Sequence, residues 1–186
     1  MIRIIFFFFI TFLLSNYSHG SSKENIIKNF EKIENLSFNF KQIINDKEEK
    51  GHCIIKYSKK IFCSYKSIFN KILVSNGRSL VIKSDKNKQY YLYPLKKTPL
   101  NLILNKDFLI KKFKEIDGKV VDNKYYTFSL DYENNIINIF FDNNNYNIMG
   151  WQTEDIYQNL AVTFIYNLRI NEKINNKLFL LPKHSN

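Results

Sequence analysis

The chain has 186 residues, 45% hydrophobic and 16% aromatic, with 28 Lys and Arg against 17 Asp and Glu for a net charge of +11. That length suits one domain of roughly 100–200 residues with its own core, and the hydrophobicity excludes a disordered chain. Five Gly, three Pro and two Cys exclude collagen-like, linker-like and disulfide-scaffold classes.

Residues 1–20 read as an address. Arg3 precedes an unbroken apolar run, Ile4 to Leu14, and a short polar stretch to Gly20. This is the pattern of a secretory signal peptide, with Ser18 and Gly20 at the small-residue positions before the cut. Cleavage is expected after Gly20, leaving one domain over 21–186 and a net charge of +10. The apolar run is well short of the roughly 20 residues that span a bilayer. With no Cys near the cut, the mature chain is not expected to be a lipoprotein. The expected location is the periplasm.

A helix opens the mature chain. Ser21 and Glu24 have capping-box spacing, and Ile26, Ile27, Phe30 and Ile33 share a face at helical period. After Asn35 the period becomes two: Leu36, Phe38 and Phe40 alternate with Ser37, Asn39 and Lys41, the pattern of a half-buried strand. Strand-like runs continue over 51–57, 61–67, 71–75, 79–84, 88–94, 124–131, 136–142, 147–153 and 160–170. Asn76-Gly77 is a hairpin signal; Asp117-Gly118 and Asn143 to Asn145 mark further turns. Thr98-Pro99 before Leu100, Leu102, Ile103 and Leu104 reads as a cap, Pro at the first turn and a short apolar helix. No repeat with a period of roughly 20–50 residues occurs. The expected class is mainly β with a few helices, an antiparallel sheet, sandwich or barrel.

Catalysis finds little support. His52 and His184 have no zinc-site context and Cys53 and Cys63 are too few to close one. No P-loop, G-x-S-x-G or G-x-G-x-x-G is present. No enzyme activity, metal or cofactor is expected. Lys56, Lys59, Lys60 and Lys66 cluster near Tyr57 and Tyr65, but Arg78 and Arg169 are the only arginines after the signal, and export argues against a nucleic-acid partner. A single Ala, Ala161, beside abundant Asn, Ile and Lys is the bias of an AT-rich genome, so part of the Lys excess carries no function. The rest reads as solvated surface, with anionic head groups or an acidic partner as the other reading. A broad aromatic sheet with little helix to cover it leaves an apolar cavity, the general form of a small apolar ligand site.

Ile72 to Leu80, ILVSNGRSL, resembles the ILVSDGKTLW segment of the outer-membrane lipoprotein carrier family, LolA. Phe38 to Gln42 is similar to that family's strand after its first helix, Gly51 to Tyr65 to its next hairpin, and Gln89 with Thr98-Pro99-Leu100 to its Q…TP region. Phe179 to Pro182 matches a closing F-x-x-P. The resemblance implies a strongly curved antiparallel sheet, a half-open barrel, covered by a helical lid, with an apolar cavity for lipoprotein acyl chains. It implies as partners acylated lipoproteins, an inner-membrane ABC lipoprotein-releasing complex and an outer-membrane acceptor. A monomer is expected. The alternative is a periplasmic module that senses lipid or lipoprotein and signals through a membrane-bound regulator; a filled structural domain is a third reading.

Strand parity names the cavity candidates: Phe38, Phe40, Cys53, Ile55, Ile61, Cys63, Tyr65 and Leu73, with Phe30, Leu100 and Ile103 from helices. The family's Arg at the end of the hairpin's first strand falls on Tyr57, which with Pro99 is the expected lid gate. Cys53 and Cys63 share a face if the turn centres on Ser58. They are then either disulfide-bonded or, with the turn shifted by one residue, two buried thiols.

Overall fold

The computed structural model describes residues 21–67, 69–86, 88–132, 135–154 and 159–184. The expected signal peptide, with its cut at Gly20, lies outside the described residues.

Helix α1 (Ser22–Glu31) starts where the capping box places it. The Ser21 hydroxyl accepts from the Glu24 N–H at 3.3 Å, and the Glu24 carboxylate accepts from the Ser21 N–H at 3.2 Å. Ile26, Ile27 and Phe30 form its buried face.

Six strands follow: β1 (Asn35–Ile44), β2 (Lys47–Lys56), β3 (Lys60–Tyr65), β4 (Lys71–Asn76), β5 (Ser79–Ser84) and β6 (Gln89–Pro94). Then come α2 (Leu100–Ile103) and α3 (Lys106–Glu115), and five more strands: β7 (Lys119–Val121), β8 (Tyr125–Tyr132), β9 (Asn135–Asp142), β10 (Ile148–Glu154) and β11 (Leu160–Ile170). All eleven join one antiparallel sheet in the order β6-β5-β4-β3-β2-β1-β11-β10-β9-β8-β7. The sheet is curved and open, since β6 and β7 remain separate edges. The strand runs read from sequence fall within a residue or two of their elements. β7 and α3 go beyond them, and β2 begins at Lys47 rather than 51.

Turn chemistry sets the register. Asn45 and Asp46 take φ of 46° and 61° between β1 and β2, which suits a tight hairpin of the primed type. At the β4–β5 turn Gly77 has φ 98°, and the Asn76 side-chain oxygen accepts from the N–H groups of Arg78 and Ser79, each at 3.0 Å. After β11 the chain crosses the outer face. The Lys56 ammonium donates to Asn176 Oδ1 at 2.8 Å, and the Tyr90 hydroxyl donates to the Pro182 carbonyl at 3.2 Å. The 3-10 turn Asn176–Phe179 lies against β3 and β4 with Phe179 buried. Outward-facing Val74 and Val81 are buried on this side.

Candidate functional site: an apolar hollow under a short helix

The inner face of the sheet has two halves. One is solid. Phe113 of α3 stacks on Phe128 at 4.3 Å between centroids, and Phe30 of α1 meets Phe113 and Phe141 edge-on at 5.8 and 5.9 Å. Lys106 ties the two helices by donating to the Glu31 and Ile33 carbonyls at 2.6 and 2.7 Å. These bonds satisfy orphan carbonyls at the end of α1.

The other half is hollow. A cavity of about 610 Å³ lies over the inner face of β1–β6, with β10 and β11 closing one side. Its floor follows from register: Cys53, Cys63, Leu73, Ile82 and Tyr91 are successive cross-strand partners through five strands, a row that Phe38 begins on β1 in the packed core beside the hollow. Every member lies on the inner face, because side chains alternate and the ladder holds parity. Trp151, Ala161 and Thr163 line the β10–β11 side.

One end of the hollow is closed by α2. Pro99, Leu100 and Ile103 line the cavity from above. The Thr98 hydroxyl donates to the Leu95 carbonyl at 2.8 Å, and the Lys59 N–H donates to the Leu104 carbonyl at 3.0 Å. The second bond attaches the β2–β3 turn to the end of the roof helix. The other end is open, at the ends of β1, β3, β5 and β10 and the starts of β2, β4, β6 and β11. There Ile44, Phe69, Ser84 and Glu154 reach the cavity wall.

A charge pair lines the cavity at this open end. Lys71 Nζ lies 2.7 and 2.8 Å from the two Glu49 carboxylate oxygens and 4.1 Å over the Tyr65 ring. Burial pushes the Tyr65 hydroxyl above the usual phenol range, and the Glu49 charge adds to it. The phenol therefore stays neutral. A largely apolar wall, with this compensated pair and the Glu154 carboxylate at its open end, can hold an apolar chain and orient a polar head.

Among the expected cavity residues, Phe40, Cys53, Ile61, Cys63, Tyr65, Leu73, Leu100 and Ile103 line the hollow, and so does Pro99. Phe30, Phe38 and Ile55 are fully buried in the packed core beside it. Tyr57 lies off the cavity wall. Its ring meets Phe30 edge-on at 5.7 Å, and it lines a separate polar cleft with Ser58, Lys106 and Asp107. Burial raises its hydroxyl pKa. Cys53 and Cys63 are joined by a disulfide, in the register that a turn centred on Ser58 produces. Residues beyond the sequence reading include Leu80, Ile82, Tyr91, Tyr93, Trp151 and Thr163. Carrying parity from Leu73 through the Asn76-Gly77 hairpin points to Leu80 and Ile82.

Among the described residues no cluster of His, Cys, Asp or Glu is placed to hold a metal ion. No described helix is long and apolar enough to cross a membrane. The family described as outer membrane lipoprotein carrier protein LolA matches residues 31–181. The chain belongs to the LolA family.

Among solved structures similar to the chain, the first named here agrees at the level of fold. A conserved protein from Thermus thermophilus aligns with TM-score 0.52 at 8% identity, over 88% of this chain and 96% of that one. A LolA superfamily protein from Nitrosomonas europaea aligns with TM-score 0.45 at 8% identity, over 87% and 99%. A lipoprotein-sorting protein domain from Vibrio parahaemolyticus aligns with TM-score 0.47 at 6% identity, over 84% and 94%. Against curated proteins no match is found. The LolA family is one of lipoprotein carriers by its description, and the hollow is the main apolar cavity of this LolA-family chain among the described residues.

Proposed function

We propose that this chain is a periplasmic carrier that takes lipoprotein acyl chains into the hollow under α2 and moves them from the inner to the outer membrane. The observation that carries the reading is the hollow itself: an apolar space of about 610 Å³ roofed by a four-residue helix. It falls in the size range of small-ligand sites, about 300–1,000 Å³. Each acyl CH₂ removed from water contributes about 0.8 kcal/mol, so an acylated protein needs such a cover in an aqueous compartment. Transfer then depends on the roof opening and on an acceptor that binds more tightly, with no chemical step in the carrier. Family membership supports an inner-membrane ABC lipoprotein-releasing complex as donor and an outer-membrane lipoprotein acceptor as recipient. Residues 1–20 serve as the signal peptide, removed after Gly20, and 21–186 form the working domain.

Mass spectrometry of the protein purified from membrane-containing cells tests this. Acylated protein or peptide bound in stoichiometric amount is the expected result. Purification empty from cells rich in lipoproteins would sink the reading, and a regulator peptide in place of acyl chains would establish the sensing module instead.

A further inference from the structure

The open end of the hollow carries an unusual combination of side chains. Phe69 lies in the β3–β4 connection, lines the cavity mouth, and keeps 45% of its surface exposed. Its backbone is fixed: the Phe69 carbonyl accepts from the Ser84 hydroxyl at 2.7 Å and from the Lys86 N–H at 3.4 Å. The exposed ring is therefore held at the rim by the end of β5. Four lysines, Lys47, Lys66, Lys86 and Lys88, stand exposed at the same end of the strands. None of the four makes an ion pair among the described residues, whereas Lys71 and Lys83 at this end are paired with Glu49 and Asp85.

We propose that this rim docks on an anionic lipid bilayer, with the Phe69 ring in the interfacial layer and the four lysines against the head groups. Charge complementarity selects the occupant. Unpaired lysines around an exposed aromatic match an anionic surface with apolar material beneath it. Continuity supports the same choice, because Phe69 is both an exposed rim residue and part of the cavity wall. An acyl chain would then pass from bilayer to hollow without crossing water, which removes a cost that grows with every CH₂. The inference goes beyond carriage, since docking needs no cargo.

Co-sedimentation of the delipidated mature chain with vesicles tests it, using phosphatidylglycerol mixed with phosphatidylcholine against phosphatidylcholine alone. Binding is expected on the anionic vesicles and should weaken with salt. Phe69→Ser should lower partitioning about tenfold. Lys66→Gln with Lys88→Gln should lower it about fivefold per lysine. Lys173→Gln with Lys177→Gln, at exposed positions on the C-terminal segment, should leave it unchanged. Equal loss in that control pair would reduce the effect to overall charge and overturn the proposal. So would equal binding to neutral vesicles, binding to neither, or rim variants that bind like the native chain. All four lysine substitution sites are exposed, so their variants should fold, which circular dichroism checks. Failure here leaves cargo carriage standing, and an empty hollow leaves docking standing.

Discussion

The rings of Phe40 and Tyr65 meet edge-to-face at 5.1 Å although their strands are not neighbours. Gly51 of β2 lies between them, paired with Phe40 on one side and Tyr65 on the other. A Cβ at Gly51 would collide with the Ser64 carbonyl oxygen and the Phe40 ring. The glycine weakens its strand, but it lets two aromatics close over the gap and cover the backbone. Gly51→Ala should destabilise the fold by about 2 kcal/mol, as overpacking does. Equilibrium urea unfolding reads this directly, and an unchanged midpoint would mean that the strand shifts freely.

The Cys53–Cys63 bond crosses the hollow's floor. It closes a loop of 10 residues in sequence, for which the chain-entropy account gives about 3 kcal/mol. Reduction should lower the unfolding midpoint accordingly. It should also add two alkylation sites in the denatured, reduced protein relative to the denatured, unreduced one. Equal labelling in both would mean free thiols.

Trp151 is the only tryptophan of the chain, lines the hollow, and meets Phe38 edge-on at 6.2 Å. An apolar ligand in the hollow should therefore alter its emission, and a brominated fatty acid should quench it. Leu100→Glu, which sets a charge under the roof, should weaken that quenching at least tenfold. Leu100→Met should leave it nearly intact. Titration of quenching against fatty acid concentration separates the three proteins.

His52 supplies a pH dependence from the outer face. Its Nε2 lies 3.3 Å from the Ser37 hydroxyl and its Nδ1 3.1 Å from Asn39 Oδ1. Partial burial and then the nearby Arg169 charge hold its pKa below the usual histidine value, with Glu172 opposing. The unfolded chain thus binds more protons than the folded one between His52's lowered pKa and about 6.5. Stability should fall as pH drops through that window and level off below it. His52→Gln should flatten the curve there, measured by urea midpoints across the window.

Much of the hollow was legible because parity propagates. Phe40, Cys53, Cys63 and Leu73 sit where alternation from the Ser58 turn puts them. The same arithmetic extends to Ile82 and Tyr91 through the Asn76-Gly77 hairpin. Alternation says which face a residue takes, but not what lies opposite. Phe30 and Ile55 share the inner side with the wall residues yet are covered by packing. In the case of Phe30 that cover comes from Phe113 of α3. Signals for α3 exist in Asn105, whose side chain caps the Phe108 N–H, and in Leu109 and Phe113 four residues apart. Tyr57 takes its place from Phe30 and the turn at Ser58, contacts that hairpin spacing does not encode.

The seam between β1 and β11 bears on how the molecule is made. Strands β1 to β6 pair with sequence neighbours, as do β7 to β11, and the two runs meet along that one ladder. Ile44 pairs with Ala161 there, and Leu36 with Ile170. The hollow's wall draws on both runs, Cys53 and Leu73 from one and Trp151 and Thr163 from the other. Until β11 docks, the first run alone would be a curved apolar trough with one wall missing. Pairings this distant form late and slowly, and the waiting surface is aggregation-prone. The apolar surface that lines the hollow is thus the part of the chain that most needs its last strand to be kept from self-association.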